Sequence, residues 1–209
     1  SPYLSSIFPI EEQIGILSSR GCVFKCVYCN FSAMSRWTIR YHSVERLISE
    51  LKIIDKNFLR QMKRIEYRIV NFWDDIFTLD KERAKQICRR IIEEKINLEF
   101  RAQTKGGMVD RELLYLMRKA GFHSIDFGLE SVSPRVLNII KKIRQPNITE
   151  NSLKPEKKYI EKVKEDVRLA KKIGLEPEIN TIMGLPGSTI KDDLKTLNFV
   201  KRLGIKKHY

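Results

Sequence analysis

Short apolar runs alternate along the chain with longer stretches in which apolar residues recur every three or four positions. That alternation predicts strands followed by amphipathic helices, and hence a parallel sheet covered by helices. The first strand reads IGILSSRGC (14–22) and runs into a cysteine-bearing loop. Ser43 is placed to cap a helix over 43–55, whose apolar face carries Val44, Leu47, Ile48 and Leu51. A second, basic helical stretch near 57–64 precedes the strand EYRIVNFWDD (66–75). Asp80 caps the next helix, with Ala84, Ile87, Cys88 and Ile91 on its apolar side, and LEFRAQT (98–104) is the third strand. Asp110 opens the following helix and Gly121 stops it.

SIDFGLES (124–131) is the fourth strand, followed by Ser133-Pro134, a cap with proline at the first helical position. The segment IRQPNITENSLKPE (143–156) breaks the pattern with two prolines and many polar residues, and reads as a surface insertion. A long charged helix over 157–173 ends at Gly174. EPEINTIMGLPGS (176–188) is the fifth strand with its loop, a helix follows over 190–203, and IKKHY begins a sixth strand. The order implies an α/β fold: a partial (β/α)6 barrel of the TIM type, truncated at strand six. Parallel barrels carry their ligands at the C-terminal strand ends. Those ends present Cys22, Asp74, Asp75, Gln103, Glu130 and the 184–187 loop.

Composition narrows the setting. Of 209 residues, 42% are hydrophobic and 32% charged, a balance that excludes a disordered chain. No run approaches the roughly 18 apolar residues of a membrane span, and SPYLSSIFPIEEQIG lacks the basic and apolar regions of a secretory signal. Four cysteines are too sparse for a disulfide scaffold, which points to a reducing cytoplasm. A net charge of +14 fits an anionic partner such as a nucleic acid, or solvated helix faces. The basic residues are spread along the chain without interleaved aromatics, which favours helix faces.

The chemistry concentrates in GCVFKCVYC (21–29), with spacing Cys22-x3-Cys26-x2-Cys29. A structural zinc site needs four ligands, usually as two pairs, and His42, His123 and His208 show no pair spacing. A redox CxxC at Cys26 and Cys29 leaves Cys22 unexplained. A [4Fe–4S] cubane with three thiolates accommodates all of them and leaves one iron open to a small molecule. Cys88 sits on an apolar helix face and reads as a small core residue.

This constellation resembles the radical S-adenosylmethionine (SAM) superfamily, in which an aromatic or apolar residue precedes the last cysteine of the loop, here Tyr28. The resemblance extends over almost the whole chain and is most like the cobalamin-binding class. It rests on SRGCVFKCVYCN, WTIRYHSVERLISEL, FWDDIFTLDKERA, GLESVSPRVLNIIKK and MGLPGST, which fall in the family's order and spacing. It implies a cluster on Cys22, Cys26 and Cys29 whose open iron chelates SAM. The reduced cluster would cleave SAM to methionine and a 5′-deoxyadenosyl radical, with an electron donor such as flavodoxin or ferredoxin. In some cobalamin-using relatives a second SAM reaction is methyl transfer through cobalt.

The resemblance further implies that Tyr28 packs near the adenine and that Asp74 or Asp75 receives the SAM ammonium, where the family often has Gly-Gly-Glu. An N-terminal helix cap is the plain alternative for that pair. Glu130 matches a contact to ribose hydroxyls or the amino group. Gln103 and Arg101 alternate on one strand, so one of them faces the interior; Arg101 suits a carboxylate or a strand-end salt bridge. Met183 and Gly184, with Ile182, would lie beside the adenine. Residues 1–13 resemble a linker from a missing N-terminal domain and 14–209 the core, so a longer parent protein is expected. Two alternatives stand beside this reading. One is a cobalamin-independent enzyme such as a methylthiotransferase-like RNA or protein modifier; the other is a zinc-binding basic module without catalysis. The substrate is not legible.

Overall fold

The computed structural model of the chain describes residues 14–61, 69–143 and 154–205. A five-stranded sheet is formed by β1 (Ile14–Ile16), β4 (Ile69–Phe72), β5 (Glu99–Lys105), β6 (Phe122–Glu130) and β7 (Glu176–Thr181). All four neighbouring pairs are parallel, and their spatial order follows the chain order. Parallel neighbours need crossover connections, supplied here by α2 (Val44–Gln61), α3 (Lys81–Glu93), α4 (Arg111–Lys119), α5 (Pro134–Ile139) with α6 (Lys154–Ile173), and α7 (Ile190–Arg202) follows β7. This is the expected partial TIM-type barrel.

The two faces of the sheet differ sharply. Val70, Phe72, Phe100, Ala102, Phe122, Ile125, Phe127, Leu129 and Ile179 are buried in the main core with the apolar stripes of the helices. Phe72, Phe77, Phe100 and Phe122 pack together, mostly tilted, with ring centroids 4.7–5.6 Å apart. Each such ring contributes about 1.5–3 kcal/mol by burial. The alternate positions Asn71, Arg101, Gln103, Asp126 and Glu178 are polar, and form the concave side.

Strict alternation fails twice on β6. The register passes from Phe100↔Phe122 to Arg101↔Ser124, and from Gly128↔Asn180 to Glu130↔Thr181, so His123 and Leu129 are extra residues. These bulges let Phe122 and Ile125 both reach the core although three positions separate them.

The expected first strand is two pieces. β1 ends at Ile16, and β2 (Ser19–Arg20) leaves the sheet to pair antiparallel with β3 (Arg40–Tyr41). Asp74 holds the departing turn: it accepts from Ser18 N (2.7 Å), Ser18 Oγ (2.6 Å) and Ser19 Oγ (2.5 Å). A short helix α1 (Asn30–Met34), not foreseen, follows Cys29. Helix α6 starts at Lys154 rather than 157. The linker 1–13, most of the insertion (144–153), the stretch 62–68 and the sixth-strand residues 206–209 lie outside the described residues. No described helix is long and apolar enough to cross a membrane.

Candidate functional site

The loop between β2 and α1 is shaped by contacts at both ends. Gly21 adopts φ +100°, and a Cβ there would lie 2.2 Å from the Thr38 carbonyl oxygen, so only glycine fits. Its N–H donates to Asp75 Oδ2 at 3.1 Å, and the Cys22 N–H donates to Ser35 Oγ at 3.3 Å. The Cys29 N–H closes a turn on the Cys26 carbonyl at 3.1 Å, and the Val27 N–H reaches the Ile140 carbonyl beyond α5 at 3.0 Å.

Cys22 is buried, while Cys26 and Cys29 are half-buried. Burial pushes the Cys22 thiol up, a backbone bond from Phe24 opposes it, and Asp75, Cys26 and Cys29 add repulsion. Burial also raises Cys26, against the pull of Lys142 and Lys105. The loop therefore brings three thiols within electrostatic reach of each other and beside two ammonium groups. Among the described residues no group of three His, Cys, Asp or Glu side chains stands converged on a metal-binding point. The thiols are neighbours on one rim, and their softness and number fit an iron–sulfur cluster.

The two adjacent aspartates part company. Asp74 is fully buried, with both carboxylate oxygens engaged by Ser18 and Ser19. Arg83 of α3 clamps the same turn through Ser18 Oγ (3.1 Å), the Ser18 carbonyl (3.0 Å) and the His42 carbonyl (2.7 Å). Asp75 is half-buried beside the loop, and burial raises its pKa. Gln103 donates to the Asp74 carbonyl at 3.0 Å. It shares with Asn71, Trp73, Arg101 and Asp126 a cavity of about 180 Å³ on the concave face, so Gln103 and Arg101 both face inward, not one of them as expected, because positions two apart on a strand share a side. Arg101 forms the salt-bridge alternative: its guanidinium donates to Asp126 at 2.8 Å and Glu178 at 2.7 Å.

At the end of β6, Glu130 sits at φ +68°, a left-handed conformation rare outside glycine and asparagine and frequent at functional sites. Its Oε1 accepts from Lys142 Nζ at 2.8 Å, and Lys142 also donates to the Tyr28 hydroxyl at 3.2 Å. Glu130 and Lys142 are each 6% exposed. Gly128 leaves room for the pair, since a Cβ there would lie 2.8 Å from Glu130 Oε1. Lys105, the last residue of β5, is buried against Phe24 and Tyr159. Burial first and Lys142 second push its pKa down to about 8, against the pull of Cys26 and Cys22. Met183 is exposed, and Gly184 at φ +69° donates its N–H to Asp193 Oδ2 at 3.1 Å in the loop after β7.

Of the residues singled out from sequence, the structure brings Tyr28, Glu130 and the three cysteines to one rim. Asp74 and Gln103 join a supporting network, and Met183 and Gly184 stand on the β7 loop. Lys105, Lys142, Arg83 and the Ser18-Ser19 turn were not singled out. A lysine closing an otherwise half-buried strand was the one available signal, and it pointed to Lys105.

A parallel half-barrel with a three-thiol loop after its first strands defines a class of protein, and the comparisons agree with it. Residues 16–200 match the Radical SAM superfamily, and the chain belongs to that superfamily. An uncharacterized methyltransferase of Pyrococcus horikoshii is 35% identical over 192 residues, covering 91% of this chain and 37% of that protein. The cytidylyl-2-hydroxyethylphosphonate methyltransferase of Streptomyces wedmorensis is 30% identical over 141 residues, 66% of this chain and 25% of that one. The chain thus spans well under half the length of these relatives. The radical SAM methyltransferase TsrM of Kitasatospora setae shares the fold with a TM-score of 0.77 at 16% identity, covering 94% of this chain and 35% of TsrM. The cobalamin-dependent SAM radical enzyme OxsB superposes with a TM-score of 0.67 at 18% identity, covering 91% of this chain and 26% of OxsB.

Proposed function

We propose that this chain is the core of a radical SAM enzyme. Cys22, Cys26 and Cys29 hold a [4Fe–4S] cluster, and SAM lies along the C-terminal rim of the sheet. The observation that carries this reading is the meeting of three thiols with the buried Glu130–Lys142–Tyr28 group at one rim. When bound and reduced, such a cluster supplies the electron that breaks a carbon–sulfur bond of SAM.

The chain's own residues position and shelter that reaction. Asp75, half-buried beside the loop, takes the SAM ammonium; Asp74 instead holds the Ser18-Ser19 turn that aims the loop. Glu130 accepts from ribose hydroxyls with its second oxygen while Lys142 holds the first. The Gly184–Gly187 loop lets the backbone approach the adenine, with Met183 beside it. Phe24 and Ile76 pack with Cys22 and exclude water from the loop's inner side.

The relatives named as methyltransferases favour methyl transfer as the net reaction, and the cobalamin-dependent fold neighbours favour a cobalamin partner domain in the parent protein. An electron donor of the flavodoxin or ferredoxin kind completes the system in the cytoplasm. Anaerobic reconstitution with iron and sulfide tests the reading. The expected product is brown, holds about four irons per chain by analogy with three-thiolate cubanes, and binds SAM. A colourless protein that binds zinc alone would overturn it.

A further inference from the structure

We propose that Lys105 is a positioning charge for the cluster, raising its reduction potential from a fixed place behind the cysteine loop. The inference rests on the function proposed above and extends it to a residue that no contact with SAM requires.

The Lys105 side chain is 7% exposed, and its Nζ lies 3.9 Å from the centroid of Phe24, inside the cysteine loop, and 5.3 Å from that of Tyr159. It has little freedom to leave. The next residue, Gly106, is pressed on α6 so closely that a Cβ would lie 2.2 Å from Val163 Cγ2. Aromatic faces return about 0.5–2 kcal/mol to a cation, less than burying an ammonium costs. No carboxylate among the described residues acts on Lys105; the groups that favour its charge are Cys26 and Cys22. The nearby carboxylates are engaged elsewhere: Glu130 by Lys142, Asp166 by Lys162 and the Gly107 N–H, and Asp75 by the Gly21 N–H.

Lys105 thus stands without a carboxylate of its own, and the groups that favour its charge lie on the thiol side. A two-plus cubane with three thiolates carries one net negative charge, and its reduced form carries two. A fixed ammonium stabilises the second charge more than the first, so the one-electron reduction becomes easier. No bond changes at Lys105.

The test compares the unsubstituted chain with Lys105→Arg, Lys105→Met and Lys105→Gln after anaerobic reconstitution. Iron and sulfide are quantified, folding is checked by thermal melting, and the midpoint potential is read by electron paramagnetic resonance during a redox titration. We expect the two neutral variants to be about tenfold harder to reduce, about 59 mV for a one-electron couple, with Lys105→Arg near the unsubstituted value. Loss of iron in both neutral variants with retention in Lys105→Arg also supports the charge role. Equal potentials in all four proteins overturn it, as does iron loss in all three variants, which would make Lys105 a packing residue. Unchanged potentials with weakened SAM binding would assign the lysine to the ligand instead. An unsubstituted chain that assembles no cluster overturns the proposed function itself, and this inference with it.

Discussion

Three cysteines share one loop, whereas Cys88 is fully buried in the core with Ala84, Ile87 and Ile91 on α3, and burial pushes its thiol far up. Single alanine replacements at Cys22, Cys26 or Cys29 should abolish cluster assembly. Cys88→Ala should keep its iron and cost about 1 kcal/mol through a small cavity. Iron quantitation on the four variants checks both halves, and equal iron loss at Cys88 would unseat the ligand assignment. Glu130 separates two effects in the same way. Glu130→Ala leaves Lys142 buried without its carboxylate and should cost about 3–5 kcal/mol of stability in urea unfolding. Glu130→Gln keeps the shape and should weaken SAM by about 1–3 kcal/mol in proteins of matched iron content. The cysteine spacing was legible because thiol spacing is local, and the strand-end place of Glu130 because the family resemblance located it. The division between Asp74 and Asp75 was not. Neighbours on a strand end point to opposite sides, and which side met Ser18 depended on a departure of β2 from the sheet that no local pattern announced.

Helix starts were the most legible elements, because caps are chemical and short-range. Asp80 accepts from Arg83 N at 3.0 Å and Asp110 from Leu113 N at 2.9 Å, as their positions predicted, whereas Ser133 precedes Pro134 at the start of α5 without a side-chain cap bond. Helix α7 carries a full capping box, in which Asp192 N donates to Thr189 Oγ1 (3.2 Å) and Thr189 N donates to Asp192 Oδ2 (3.1 Å). These bonds, first the Thr189 hydroxyl and then Ser133, lower the Asp192 pKa to about 2. An ordinary aspartate titrates near pH ~4, so this stabilisation is complete above that value and fades as pH falls toward 2. The gap in melting temperature between the unsubstituted chain and Asp192→Asn should be widest near neutrality and close over that window. A constant gap down to pH 2 would remove the carboxylate from the cap. Strand boundaries were less legible, since the extra residues His123 and Leu129 each shift the period of two. The two-residue strands β2 and β3 carry too few positions to show any period.

At the scale of the molecule, Arg101 ties β5 to β6 and β7 by its bonds to Asp126 and Glu178 across the concave face. Arg101→Met removes the cation that two nearly buried carboxylates share, and should cost about 3–5 kcal/mol in urea unfolding. Arg101→Met with Asp126→Asn and Glu178→Gln should recover part of that loss. The barrel class was legible because each helix follows its strand. The electrostatic interior was not, since it is assembled from residues up to 77 positions apart.

The Val27–Ile140 bond and the Tyr28–Lys142 bond give the cysteine loop a partner that follows it by more than a hundred residues, 114 in the second case. On the ribosome, the three thiols therefore emerge early and stand unsupported while most of the sheet is still being translated. At about 5–20 residues per second, that interval is on the order of 6–20 s. For that interval the loop is open to oxidants and to stray metal, and a cluster delivered before α5 has emerged would have no seat. On the function proposed above, insertion of iron and sulfur would be ordered after synthesis of the fourth sheet strand, by topology alone.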